Sequence, residues 1–190
     1  IPIEVIVRNI ATGSLVRKYP IADGTRLEPP IVQMDFKADE YHDPMLNDSI
    51  IKALGIATQE EIDILTQKAL KINEVLTKFF ADAGINGEQN FGVLYDRLTQ
   101  SEYGIGLKVG VIPIYVAAII HLNRNNLVIK KGNAEQKITA DLLNGINDNP
   151  GNYSVVLENW NEEKTVYLTQ LEQLFEKHVH EQEKVYNSFA

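Results

Sequence analysis

Two short segments hold the side chains best suited to chemistry. The first is Val7-Arg8-Asn9-Ile10-Ala11-Thr12-Gly13-Ser14-Leu15, and the second is His42-Asp43-Pro44-Met45. A guanidinium such as that of Arg8 binds a carboxylate or phosphate through two parallel hydrogen bonds. The Ser14 hydroxyl and the backbone amides around Gly13 can donate to the same anion. Read structurally, the same residues are an exposed strand arginine and a turn serine. An imidazole beside a carboxylate, as in His42-Asp43, can orient a reactant or relay a proton. Equally, an aspartate ahead of a proline often does no more than start a turn.

Local patterns predict how these groups are carried. Ile3, Val5 and Val7 alternate with Glu4, Ile6 and Arg8, the period of a strand. Thr12-Gly13-Ser14 and Ala22-Asp23-Gly24-Thr25 read as turns, Glu28-Pro29-Pro30 as an extended connection, and Ile31 to Lys37 as a second strand. The polar stretch from Ala38 to Asn47 puts the His-Asp-Pro group on a loop. A short helix over Asn47 to Leu54 is stopped by Gly55. Thr58-Gln59-Glu60-Glu61 is a capping box, and behind it Ile62, Leu65, Ala69, Ile72, Leu76, Phe79, Phe80 and Ala83 recur at helical spacing. Gly84 reads as the stop of that helix.

Residues 1–85 resemble the SAICAR synthetases (phosphoribosylaminoimidazole-succinocarboxamide synthases). The resemblance runs through Arg8-Asn9-x-Ala11-x-Gly13-Ser14-Leu15, Gly24, Pro29-Pro30, His42-Asp43-Pro44-Met45-x-Asn47 and the helix carrying Asn73. It implies that Arg8 and Ser14, with Asn9 and Gly13, bind the carboxyaminoimidazole ribonucleotide, a phosphoribosyl imidazole. It also implies that His42 and Asp43 are catalytic residues near the incoming aspartate. ATP and Mg2+ are the implied cofactors: ATP turns a carboxylate into an acyl phosphate, the aspartate amine displaces phosphate, and an amide forms. Family members cover the ATP phosphates with a Gly-Lys-x-Lys segment. After the long helix they place Asp, Lys and Glu for magnesium and substrate, and later a Ser-Pro-Asp-Gly loop. These are not matched in the 190 residues, so the chain by itself is expected to be an inactive ligase, its missing segments lost, never present, or supplied by a partner chain or oligomer. No metal ligands are assigned. The start in Ile1-Pro2-Ile3, inside a strand and without methionine, suggests that something was removed upstream.

Past Ile85 the pattern changes. Asn86-Gly87-Glu88-Gln89-Asn90 reads as a link between a first part, residues 1–85, and a small α+β module, residues 91–190. An apolar helix around Ile112 to Leu122, a strand from Asn126 to Lys131 with a hairpin at Lys131-Gly132-Asn133, a helix capped by Thr139, and a strand from Tyr153 to Leu157 follow. That order is compatible with a winged-helix-like module, and residues 103–157 weakly resemble a segment of large bacterial phage-defence ATPases. Gly104-x-Gly106-x-x-x-Gly110 matches no phosphate-loop spacing and reads as a flexible turn. His178 and His180 lie on different sides of an amphipathic helix expected over Glu163 to Tyr186, poorly placed to share a metal. The fold class expected for the whole is α+β, a partial SAICAR-synthetase-like lobe followed by this module.

Charge and composition bound the alternatives. The net charge is −8, and nine basic and thirteen acidic residues fall on each side of Ile85. Neither part is a basic domain, which disfavours nucleic acid and anionic membranes as partners. With no cysteine, thiolate catalysis and disulfides are excluded. The run from Val109 to Leu122 is too short to span a bilayer, and no signal peptide opens the chain, so a cytoplasmic location is expected. Besides the ligase reading stands a non-catalytic one, a protein-interaction or DNA-associated module.

Overall fold

The computed structural model describes residues 2–158 and 161–175. The fold is α+β. The chain divides into two compact units, Ile1–Glu74 and Val75–Ala190, with the division inside one long helix.

The first unit is built on an antiparallel ribbon of β1 (Ile3–Ile10) and β2 (Arg26–Phe36), extended by the short β3 (Met45–Leu46) in the order β1-β2-β3. Alternation along the paired strands sends Val5 and Met34 to one side and Ile6 and Gln33 to the other. The apolar side packs on α2 (Asp48–Ala53) and α3 (Gln59–Ile85): Met34, Leu46, Ile51 and Ile62 form a buried cluster, with Ile3, Val5, Phe36, Ile56 and Ala57 against it. Asn47 caps α2 by accepting from the Ile50 amide. Glu61 accepts from the Thr58 amide at 2.8 Å while the Thr58 hydroxyl accepts from the Glu61 amide, the reciprocal capping box expected at the start of α3.

Two local expectations are corrected. Glu28-Pro29-Pro30 is not a connection ahead of the second strand but lies within β2. There the register jumps from Arg8↔Ile31 to Ile10↔Arg26, a bulge that accommodates prolines with no amide to give the ladder. Gly84 does not stop α3, which continues to Ile85. A Cβ on Gly84 would stand 3.5 Å from the Leu157 side chain, so the position is a packing contact.

The second unit contains a four-stranded sheet in the order β4-β7-β5-β6, from β4 (Gln89–Asn90), β5 (Leu127–Lys131), β6 (Ala134–Gln136) and β7 (Tyr153–Leu157). Its helices are α4 (Phe91–Thr99), α5 (Ile112–Asn123), α6 (Ala140–Asp148) and α7 (Glu162–Leu174). Sequence reading did not anticipate α4, although Asn90 caps it and Phe91, Leu94, Tyr95 and Leu98 form its buried stripe. α5 buries Ile112, Val116 and Ile120 and leaves Ile114, Tyr115 and Leu122 exposed. Thr139 caps α6 as expected. His178, His180 and the expected helix beyond Phe175 lie outside the described residues.

Three phenylalanines hold the centre of this unit together. Phe79 and Phe80 from the end of α3 meet edge to face at 5.3 Å, and Phe91 packs on them at 5.6 and 6.4 Å between ring centroids. Phe91 is fully buried. Phe91→Ala is expected to destabilise the protein by about 3–5 kcal/mol, read as a lowered urea midpoint; a loss below about 1 kcal/mol would show that the aromatic cluster does not anchor the unit.

Candidate functional site

Arg8 sits near the end of β1, where its strand partner is Ile31. The chain then turns through Thr12-Gly13 into α1 (Ser14–Lys18). Gly13 takes φ 62°, ψ −123°, a conformation that side-chain-bearing residues avoid. Ala11 is fully buried and fixed on both sides: its amide donates to Thr25 O at 2.8 Å, and its carbonyl accepts from the Gly24 amide at 2.9 Å. This clamp returns Ser14 to the side of β1. Arg8 Nη2 donates to Ser14 Oγ at 3.3 Å, joining the two residues expected to share an anion.

Behind Arg8 runs a relay that sequence reading missed. Arg8 Nε donates to Gln33 Oε1 at 3.3 Å, and Gln33 Nε2 donates to both carboxylate oxygens of Asp35 at 2.8 Å. Gln33 lies on β2 opposite Ile6, and Asp35 opposite Glu4. Their signal in the sequence was the period-2 recurrence of polar residues at 33, 35 and 37. Among the described residues Arg8 forms no salt bridge. Asn9 is committed elsewhere: its amide and that of Asn73 on α3 exchange two hydrogen bonds, at 2.6 and 3.1 Å.

His42 and Asp43 occupy the predicted loop, directly after a 3-10 turn over Asp39–Tyr41. Both have positive φ, 58° and 45°. Asp43 accepts from Lys37 Nζ at 2.8 Å and from the Ala38 amide at 2.9 Å, while Lys37 also reaches Glu4 at 3.4 Å. His42 is exposed. This group does not touch Arg8 or Ser14. Lys37 follows Phe36, which pairs with Ile3, and Ile3 and Arg8 are five residues of strand apart, roughly 17 Å. The four candidates therefore form two clusters at opposite ends of the ribbon. A cavity of about 770 Å³ opens beside β2, lined by Leu15, Val32, Gln33, Met34, Leu46 and Ile62 with Asn47, Asp48, Asp63 and Thr66 among its polar residues; none of the four lines it.

Hydrogen bonding from Lys37, then from the Ala38 amide, lowers the Asp43 carboxyl below its ordinary 3.8. The same partner, then Glu4, raises the Lys37 ammonium above its ordinary 10.5. The sign follows for each. Stability from Asp43 is present above the ordinary carboxylate value and lost as pH falls through the depressed one. Stability from Lys37 is present below its ordinary value and lost as pH rises through the raised one. The loop anchor is thus intact across neutral pH.

Comparison with known proteins finds relatives for the first part of the chain. The SAICAR synthetase family model matches residues 1–86. The phosphoribosylaminoimidazole-succinocarboxamide synthase of Methanobrevibacter smithii is 86% identical over 85 residues, which are 45% of this chain and 35% of that protein. Its counterpart in Methanosarcina mazei is 60% identical over 85 residues, 45% of this chain and 36% of that protein. A crystal structure of SAICAR synthetase from Pyrococcus horikoshii OT3 shares 43% identity over 44% of this chain and 37% of its own, with a TM-score of 0.42. The chain spans about a third of the length of the curated relatives it matches.

An NMR titration of the Asp43 carboxyl is expected to give a midpoint below 3.8 that moves back up in Lys37→Met; a wild-type midpoint at or above that value would show that the anchor does not form in solution.

Proposed function

We propose that residues 1–85, a SAICAR-synthetase-like segment, form an anion-binding corner for the phosphoribosyl part of an imidazole ribonucleotide, and that the 190-residue chain alone is not a working ligase. The observation that carries the reading is Arg8. Its guanidinium meets the Ser14 hydroxyl at 3.3 Å, inside the matched motif, and has no carboxylate partner among the described residues. An arginine so placed keeps its charge for a ligand. Gly13 belongs to the corner through the turn that returns Ser14. Asn9 serves it indirectly, by tying β1 to α3.

At the other end of the ribbon, Asp43 anchors the loop through Lys37 and Ala38. His42 is left as the exposed group able to meet a second reactant such as aspartate. In the family's chemistry ATP activates a carboxylate and magnesium offsets the phosphate charge. Among the described residues no group of three or more His, Asp or Glu could hold a metal ion by itself. On this reading residues 1–85 and 91–190 are separate functional parts.

A second reading concerns residues 91–190 as a winged-helix-like, protein-contacting module. Ile114, Tyr115 and Leu122 exposed on α5 favour it, and the acidic balance speaks against nucleic acid. No helix among the described residues is long and apolar enough to cross a membrane.

Arg8→Ala is expected to weaken ribose 5-phosphate binding about tenfold or more, the loss typical of one charge-assisted contact. His42→Ala is expected to leave it nearly unchanged. Isothermal titration calorimetry reads both, and equal affinity in Arg8→Ala and wild type would refute the corner. Supplied with ATP, magnesium, aspartate and carboxyaminoimidazole ribonucleotide, the chain is expected to form no succinocarboxamide product; turnover at roughly 1 s⁻¹ or faster would refute the second half of the proposal.

A further inference from the structure

We infer that Gln33 is a positioning residue that insulates Arg8 from the buried carboxylate of Asp35, and so keeps the guanidinium charge available to a dianionic ligand. The inference rests on the anion-binding reading of Arg8 and deepens it. Arg8, Gln33 and Asp35 lie on one face of the ribbon, with Gln33 between the other two. Asp35 is only 9% exposed. A buried carboxylate beside an arginine would ordinarily take it as an ion-pair partner and cancel its charge toward a ligand. The amide prevents this by satisfying both neighbours: its oxygen accepts from Arg8 Nε at 3.3 Å and its nitrogen donates to both Asp35 oxygens at 2.8 Å. The polarity of the position is fixed. Reversing the amide would set donor against donor at Arg8 and acceptor against acceptor at Asp35. A lysine would repel Arg8, and a glutamate would repel Asp35 while neutralising Arg8. Glutamine is a long neutral side chain that offers an acceptor at one corner and donors at the other.

The charged groups on this face are Glu4 and Arg8 of β1, Asp35 of β2 and Lys37 just beyond it, which reaches Glu4 at 3.4 Å; Met45-Leu46 of β3 adds none, and Asp48 of α2 and Asp63 of α3 line the cavity that Gln33 also lines. In Gln33→Glu the new carboxylate pairs with Arg8 and faces Asp35, and once protonated it regains both a donor and an acceptor. Sulfate is the probe, because it stays a dianion from mildly acid to mildly alkaline solution. The expected result is that wild type binds sulfate, Arg8→Ala does not, and Gln33→Glu binds about tenfold more weakly at neutral pH but recovers toward wild type as pH falls. A merely structural role for Gln33 gives no recovery in acid. If Gln33→Glu binds as wild type does, or stays weak at every pH, the insulating role is overturned while the Arg8 reading stands. If wild type binds no sulfate, or Arg8→Ala binds equally well, the anion-binding reading falls and takes this inference with it. Should Gln33→Glu fail to fold by circular dichroism, Gln33→Met poses the same question. It is expected to bind more weakly and to be restored by adding Asp35→Asn; unchanged binding in Gln33→Met overturns the role.

Discussion

The antiparallel pairing of β1 with β2 is the constraint from which the geometry of the first unit follows. Side chains alternate across a strand, so the pairing of Val5 with Met34 and of Ile6 with Gln33 settles which residues meet the helices and which form the polar relay. A slip of one residue would exchange the two sets, placing Gln33 and Asp35 against Ile51 and Ile62. Burial of Met34 and Leu46 on α2 and α3 opposes that slip. The bulge at Pro29-Pro30 takes up the mismatch beyond Arg8 without disturbing the register at the relay.

Given that register, each end of the ribbon acquires its own chemistry. Near Arg8 the buried Ala11 holds the turn, Gly13 permits it, and Ser14 returns to the guanidinium. Near Ile3 the loop of His42 is tied by Asp43 to Lys37 and the Ala38 amide. The Asn9–Asn73 amide pair fastens the strand to α3, so the position of Arg8 depends on a residue that is distant in sequence.

Much of this was legible in the residues because short-range rules govern it. The capping box at Thr58, the helix from Gln59, the cap at Thr139 and the strand at Tyr153 all follow from periods and caps that involve a few neighbours. What failed depended on partners remote in sequence. Gly84 has the look of a helix stop, but α3 runs on to Ile85 and the position faces Leu157, far along the chain. Pro29-Pro30 looks like a strand breaker, but an opposing strand with a bulge accepts it. The direction of the Gln33 amide cannot be read from spacing, since it depends on which neighbour offers an acceptor and which a donor. α4 is different: Phe91, Leu94, Tyr95 and Leu98 carried a helical signal behind a capping asparagine, obscured by the polar link before them. Arg8, Gly13, His42 and Asp43 were correctly placed on strand, turn and loop, whereas Ser14, read as a turn residue, opens the helix α1, and the separation of these residues into two clusters needed the register.

The long helix carries two borders that do not coincide. The family match ends at residue 86, whereas the first compact unit ends at Glu74, roughly three helical turns earlier. Phe79, Phe80 and Ala83 thus fall inside the stretch that matches the family and pack within the unit that follows. Excising residues 1–86 at the border of the match would leave two bare phenylalanines at the tip of a helix. Cutting at the border of packing would instead sever the matched segment. In this chain the matched piece and the compact piece are different objects, and the last turns of α3 answer to both.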